Sequence, residues 1–401
     1  MRIIYLDHNA TTRPCAGALA AAQRAALDLW HNPSSIHRPG QAARHGIELA
    51  RESLATLLGV RPREITFTSG GTESIHLAIR GLLGTRRDAD RPAIITARTE
   101  HAAVRDLAEE LEKIAAARIV YAPLDASGVV DAQALAGLLA PDTALVSIQW
   151  ANNETGAIQP VEAIHHACRA AGVPFHCDAV QWIGKEPVTD ARGDEGILSH
   201  RHAPGPPCDL LSVSAHKFGG LKGAGALWVR SGIRLRPVIP GSQELGRRGG
   251  TENVPGILAL GAAAEEARAW LADPAPRAML ASMRDRLESA ILARVPGTVV
   301  NGPRESTRRL WNTTNIGFPR LEAEALLLAL SERGVCASAG AACSSGSLEP
   351  SPVLLSMGVP PEVAHGSLRF SIGKDTNADE IDRAADIIAD RAAQLPRSLP
   401  V

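Results

Sequence analysis

Val173-Pro-Phe-His-Cys-Asp178-Ala-Val-Gln181 and, further along, Leu210-Leu-Ser-Val-Ser214-Ala-His-Lys217 are the stretches that decide how this chain folds. Each is a short apolar run that stops at polar side chains. Runs without polar alternation are what strands buried on both faces require. Working outward, similar runs recur at 65–68, 93–96, 119–121, 144–148 and 225–229, with amphipathic helical patterns such as 104–116 and 161–171 between them. Strands alternating with helices predict an α/β fold built on a mostly parallel sheet covered on both faces. In such a sheet ligands sit beyond the carboxyl ends of the strands.

Past residue 261 the texture changes. A long helical stretch (262–295, broken near 274–276) is followed by short strands at 313–318 and 368–372 and by a C-terminal amphipathic helix at 377–393. The reading is a large domain over 15–260 and a smaller α+β domain formed by 1–14 and 261–401. Lys+Arg 42 against Asp+Glu 43 disfavours nucleic acid or an anionic membrane as a partner. No apolar stretch reaches the length of a membrane span, and Met1-Arg-Ile-Ile-Tyr-Leu-Asp7 carries no signal-peptide pattern. Cys15, Cys168, Cys177, Cys208, Cys336 and Cys343 show no paired spacing, which suits a reducing compartment. The expectation is a cytoplasmic protein.

The polar motifs fall at the predicted strand ends. Ser69-Gly-Gly-Thr-Glu-Ser74 opens a helix after the run 65–68, so it is either a plain helix cap or an anion cradle in which Gly71 admits close backbone approach and Thr72 adds a hydroxyl. His101, in Thr99-Glu-His101, is either a structural hydrogen-bonder or a flat ring able to stack and to move protons. Asn152-Asn153 follows the run 144–148. Arg247-Arg-Gly-Gly-Thr251 reads as a solvent loop or as a phosphate contact delivered from elsewhere. Arg369 is a charge inside an apolar strand and needs a carboxylate, either a substrate's or that of a structural Asp or Glu. Ser338-Ala-Gly-Ala-Ala-Cys343-Ser-Ser-Gly-Ser347 consists of small residues that cannot pack a core, which predicts a mobile loop. The sharper reading of Cys343 is a nucleophilic thiol on that arm. Asp178 and Lys217 are either a helix-capping carboxylate and a solvated amine, or a carboxylate able to hold a pyridinium N–H and a lysine able to form a Schiff base, the two protein groups that pyridoxal phosphate chemistry needs.

The ordered motifs Tyr5-Leu-Asp-His-Asn-Ala-Thr-Thr12, Phe67-Thr-Ser-Gly-Gly-Thr-Glu-Ser74, Thr99-Glu-His101, Trp150-Ala-Asn-Asn-Glu-Thr-Gly156, His176-Cys-Asp-Ala-Val-Gln181, His216-Lys217, Gly246-Arg-Arg-Gly-Gly-Thr-Glu-Asn253, Ala342-Cys-Ser-Ser-Gly-Ser-Leu-Glu-Pro350 and Ala364-His-Gly-Ser-Leu-Arg-Phe-Ser371 run nearly end to end. On them the chain resembles the cysteine desulfurases of the class-V aminotransferase superfamily, most nearly the nitrogen-fixation type. That resemblance implies a pyridoxal-phosphate fold type I, with a seven-stranded-type sheet, and a homodimer. It implies that Lys217 binds pyridoxal 5'-phosphate covalently, Asp178 holds its ring nitrogen, His101 stacks and shuttles protons, and Gln181 meets the phenolic oxygen. Gly71, Thr72, Ser214 and His216 would cradle the phosphate, with Thr251 reaching over from a second copy. Asn153 would serve both cofactor and substrate, and Arg369 would fix the carboxylate of L-cysteine. Cys343 would take the sulfur as a persulfide, with L-alanine as the other product. It would pass the sulfur to an acceptor scaffold for iron–sulfur clusters, nitrogenase clusters by the resemblance, and serve as a passing iron ligand during transfer. The alternatives are a selenocysteine lyase or another lyase on the same scaffold, and a sulfur-carrying scaffold without cofactor chemistry. The chain departs from the family pattern at His8, at Leu221 and in a longer loop over 190–208.

Overall fold

The computed structural model describes residues 3–85, 92–188, 205–340 and 349–396. In chain order, β1 (Ile4–Tyr5), α1 (Ala16–Asp28) and α2 (Arg38–Leu58) lead into β2 (Ile65–Thr68), α3 (Gly71–Leu83), β3 (Ala93–Thr96), α4 (Ala102–Lys113) and β4 (Arg118–Tyr121). Then come α5 (Ala132–Gly137), β5 (Thr143–Gln149), α6 (Val161–Ala171), β6 (Phe175–Asp178), β7 (Leu210–Ser214) and β8 (Gly225–Val229). After these follow α7 (Val254–Leu271), α8 (Ala275–Arg294), β9 (Val299–Asn301), β10 (Thr313–Gly317), α9 (Ala323–Ser331), β11 (Val335–Cys336) and β12 (Ser338–Ala339). The chain closes with α10 (Pro352–Ser356), α11 (Pro361–Ala364), β13 (Ser367–Ser371) and α12 (Ala378–Gln394).

Seven strands form one sheet in the order β2-β8-β7-β6-β5-β3-β4, with β8 antiparallel to both of its neighbours and the other pairings parallel. The apolar runs are continuous because both faces are covered. Ile94, Leu145, Leu210 and Leu227 point into the core under α3 and α4. The next residues along, Ile95, Val146, Leu211 and Trp228, point into the core under α1, α2, α6 and α7. A period of two with apolar residues at both phases is the signature of a sandwiched sheet.

A second core gathers Ile4, Leu6, Leu287, Ile316, Leu326, Phe370 and Ile388, where the sheet β12-β13-β10-β9 meets α8, α9 and α12. The N-terminal segment joins it through β1, which pairs in parallel with β11. The division drawn at 260/261 falls inside α7, whose Ala263, Ala264 and Ala267 pack with the seven-stranded sheet's core. One expectation needs correction. The small-residue stretch beginning at Ser338 does not start as a loop: Ser338 and Ala339 form β12, paired antiparallel with Arg369 and Leu368 of β13. Backbone pairing to a buried strand holds residues whose side chains carry no packing information. Among the described residues no helix is long and apolar enough to cross a membrane.

Candidate active site

The sheet order reverses between β3 and β5, and the carboxyl ends around that point converge on a cavity of about 260 Å³. Gly71, Thr72, His101, Asn153, Asp178, Gln181, Ser214, His216 and Lys217 all line it, together with Ala10 from the N-terminal segment.

Each wall has a local cause. At the end of β2, Thr68 Oγ1 and Ser74 Oγ meet at 2.8 Å, and both hydroxyls hydrogen-bond the Gly70 carbonyl, so the turn into α3 is bound to its own first helical residues. Glycine at 225 lets β8 approach it, since a Cβ there would lie 2.6 Å from Gly70 Cα. The start of α3 therefore offers backbone N–H groups beside Thr72 and Ser214. After β3, the Thr99 carbonyl accepts from Gln149 Nε2 and Asn152 Nδ2 at 2.7 and 2.9 Å, which fastens the His101 turn to the end of β5. His101 caps α4, its Nδ1 accepting the Ala103 N–H at 3.1 Å. That bond places the proton of the neutral ring on Nε2.

The electrostatics follow from burial. Asp178 accepts the Val180 N–H at 3.0 Å, yet burial raises its pKa to about 6, with that bond and the Lys217 charge working against the rise. Burial and the neighbouring Lys217 and Arg105 lower His101 to about 4, so its ring is neutral at pH 7. His216 is also lowered to about 4, by burial and then by Lys217 and Lys222. Lys217 Nζ donates to the Asn9 and Ala10 carbonyls at 2.6 and 2.9 Å.

The donor set suits pyridoxal phosphate. A buried carboxylate at Asp178 matches a ring N–H, and the glycine turn with its hydroxyls matches a phosphate. Asn153 Oδ1, buried at the cavity wall, has no hydrogen-bond partner among the described residues. That orphan is what a bound polar ligand would satisfy.

Not every expected residue lies here. Arg369 does not line this cavity; it donates to the Asn153 carbonyl at 3.0 Å and to Asp7 Oδ1 at 2.7 Å, while its Nε is buried with no partner among the described residues. The carboxylate that the strand charge demands is thus met in this chain by Asp7. Thr251 is exposed and does not line the cavity either. The segment read as a possible solvent loop is tied down instead, Arg248 pairing with Glu73 at 2.8 Å. Cys343 and most of loop 190–208 lie outside the described residues.

Sequence reasoning missed Asn9 and Lys185. Asn9 receives both Lys217 Nζ and Gln181 Nε2 on its backbone carbonyl. The motif Asp7-His-Asn-Ala was visible, but nothing local says that it crosses to residues 181 and 217.

With the geometry in place, comparison with known proteins identifies the class. The aminotransferase class-V model matches residues 4–384, and the chain belongs to that family; its cofactor is pyridoxal 5'-phosphate. Cysteine desulfurase 2 of Trichormus variabilis is 44% identical over 389 residues, covering 97% of this chain and 92% of that one. A solved NifS-like protein superposes with a TM-score of 0.86 at 34% identity, covering 98% of this chain and all of that one. SspA in complex with cysteine superposes at 0.75 with 32% identity, covering 92% of this chain and 98% of that one.

Proposed function

We propose that this chain is a cysteine desulfurase that converts L-cysteine to L-alanine and passes the sulfur to Cys343. The observation that carries the reading is the single cavity joining Lys217, Asp178 and His101 with the anion-binding turn at Gly71. The desulfurase relatives and the neighbour holding cysteine support the substrate.

When bound through Lys217, the cofactor supplies an electron sink for bond breaking at the substrate. The residues do the rest. Raised only to about 6, Asp178 is mostly ionised at pH 7 despite its burial, and a ring N–H set opposite it would hold that charge further. The first turn of α3, Thr72, Ser214 and His216 bind the phosphate, and Gln181 directs a donor at the phenolic oxygen. His101, with its proton on Nε2 and its Nδ1 lone pair held by the Ala103 N–H, would cover the ring, give that proton to the reacting atoms and then take one back. Asn153 and Arg369 hold the substrate carboxylate. The bonds to Asn153 and Asp7 use two of the five guanidinium N–H groups, which leaves three with which Arg369 would reach that carboxylate.

The Cys343 thiolate bonds to the substrate sulfur, the carbon–sulfur bond breaks, and protons return to carbon, leaving alanine and an enzyme persulfide. A thiol reductant then releases sulfide and is itself oxidised. The enzyme works as a homodimer in the cytoplasm, with Thr251 completing the phosphate site of the other copy, and its sulfur goes to an acceptor that builds iron–sulfur clusters, those of nitrogenase by the resemblance. Contact of Cys343 with iron during handover belongs to this reading. Among the described residues no group of three or more His, Cys, Asp or Glu forms a metal site.

The test is incubation of purified holoenzyme with L-cysteine and a thiol reductant, measuring alanine and sulfide together. Equal yields, both abolished in Cys343→Ala, are expected. Alanine formed at an undiminished rate by that variant would overturn the role of the thiol, and cofactor colour without alanine would overturn the substrate.

A further inference from the structure

Behind the cavity wall lies a buried amine that the reaction does not obviously need. Lys185 is 5% exposed. Its Nζ donates to Asn9 Oδ1 at 2.8 Å and to Gln181 Oε1 at 2.5 Å. The charged and titratable groups that face it are Lys217 from the turn after β7, Arg369 from β13 and His8 from the N-terminal segment. Burial and the first two push its amine well below the ordinary lysine range. A buried amine that feels the charges of Lys217 and Arg369 is an expensive arrangement for packing alone.

The hydrogen-bond directions show what it accomplishes. A carboxamide can be placed either way round, and its orientation has to be read from its partners. At Gln181 two partners agree. The Asn9 backbone carbonyl can only accept, so the Gln181 NH₂ must face it, and it does so at 3.0 Å. Lys185 donates from the other side, so the Gln181 oxygen must face it. Whether the amine is charged or neutral, it still has N–H groups for both amide oxygens. The second Gln181 N–H is thereby left for the cavity that Gln181 lines. Asn9 is locked by the same logic. Its oxygen accepts from Lys185 and from Asn312 Nδ2 at 2.9 Å, and its NH₂ donates to the Asn153 carbonyl and to Thr313 Oγ1.

We infer that Lys185, acting with Asn9, is a positioning residue that holds the Gln181 carboxamide with an N–H, and never the carbonyl, toward the phenolic oxygen of the cofactor. This rests on the placement of Gln181 at that oxygen proposed above. Without Lys185 the amide is held by the Asn9 carbonyl alone, and rotation presents an acceptor to an oxyanion. A donor aimed at an oxyanion favours its unprotonated form, and an acceptor there opposes it. Losing the lock therefore moves the titration of the cofactor's visible band to higher pH.

The experiment is a pH titration of that band in purified holoenzyme, with a melting curve recorded for every variant. Gln181→Met removes the donor and is expected to raise the midpoint by about half a unit to one unit, the worth of one hydrogen bond. Lys185→Met is expected to raise it in the same direction. In the Gln181→Met background the same lysine change should add nothing, because it acts through the missing amide. Lys185→Gln, which retains a donor, is expected to give a smaller rise, and it carries the test where Lys185→Met does not fold. If Gln181→Met moves the midpoint and both lysine variants leave it in place, the positioning role is overturned. A lysine effect that persists undiminished in the Gln181→Met background overturns it as well. If Gln181→Met itself moves nothing, the placement of Gln181 at the cofactor fails, and this inference fails with it.

Discussion

At Asp178 a carboxyl is held by opposing forces: burial raises its pKa to about 6, while the Val180 N–H and the Lys217 charge pull it down. Asp178→Asn keeps the shape but removes the charge that would face a ring N–H. Alanine formation is expected to fall on the order of 10²–10³-fold with cofactor still bound, read by turnover and by the visible band together. Lys217→Ala should abolish the band's covalent signature altogether, whereas Cys343→Ala should keep the band and lose the persulfide. Asp178 and Lys217 were legible in sequence because each follows an apolar run, and Cys343 because it is the reactive side chain in a stretch of small residues. Arg369 was legible as a charge needing a carboxylate, but its contact with Asp7 was not, since Asp7 is separated from it by almost the whole chain.

At the scale of elements, the phosphate turn depends on close approach between β2 and β8. A Cβ at residue 225 would sit 2.6–2.7 Å from Gly70 Cα, Gly70 C and Val213 O, all backbone atoms that cannot swing aside. Gly225→Ala is expected to cost roughly 1–3 kcal/mol in denaturant unfolding and to weaken cofactor retention on dialysis. Nearby, α2 is tied to the same strand. Arg51 pairs with buried Glu244 at 2.8 Å, and Glu244 Oε2 accepts the Phe67 N–H at 2.7 Å. Glu244 holds a left-handed backbone at φ 49 to reach there. Arg51→Met leaves that carboxylate buried without its cation, and a loss of about 3–5 kcal/mol is expected in the same measurement. The strands of the seven-stranded sheet, β10, β13 and the helices α4, α6, α7, α8 and α12 followed from the apolar runs and their periodicity. β1, β9, β11 and β12 did not; β12 is set by its pairing with β13, with Ala339 against the second core.

Over the whole molecule, the two cores meet where Glu186, just beyond the turn that follows β6, faces Arg277 of α8 with 3.5 Å between Oε2 and Nε. Burial raises Glu186 to about 7, against the pull of Arg277. A carboxyl raised in the folded state contributes stability that is full below its unfolded pKa of 4.5 and is lost as pH rises through about 7. Glu186→Gln removes that loss. Its melting temperature relative to the parent protein should therefore rise between pH 5 and pH 8, and an unchanged difference across that window would show that Glu186 titrates normally.

What the amino-acid sequence determined by itself was whatever short-range physics writes locally. Burial on both faces wrote the strands as mostly apolar runs, and polar residues at their ends marked where a ligand sits. Tertiary structure decided which distant groups close the site. Asn9 meets Gln181, Lys185, Lys217 and Asn312 although it lies far from all of them along the chain. Lys185 feels the charges of Lys217 and Arg369, which no local pattern places beside it. Hydrogen-bond direction and burial depend on what the folded chain brings within about 3 Å, and sequence spacing carries no measure of that distance.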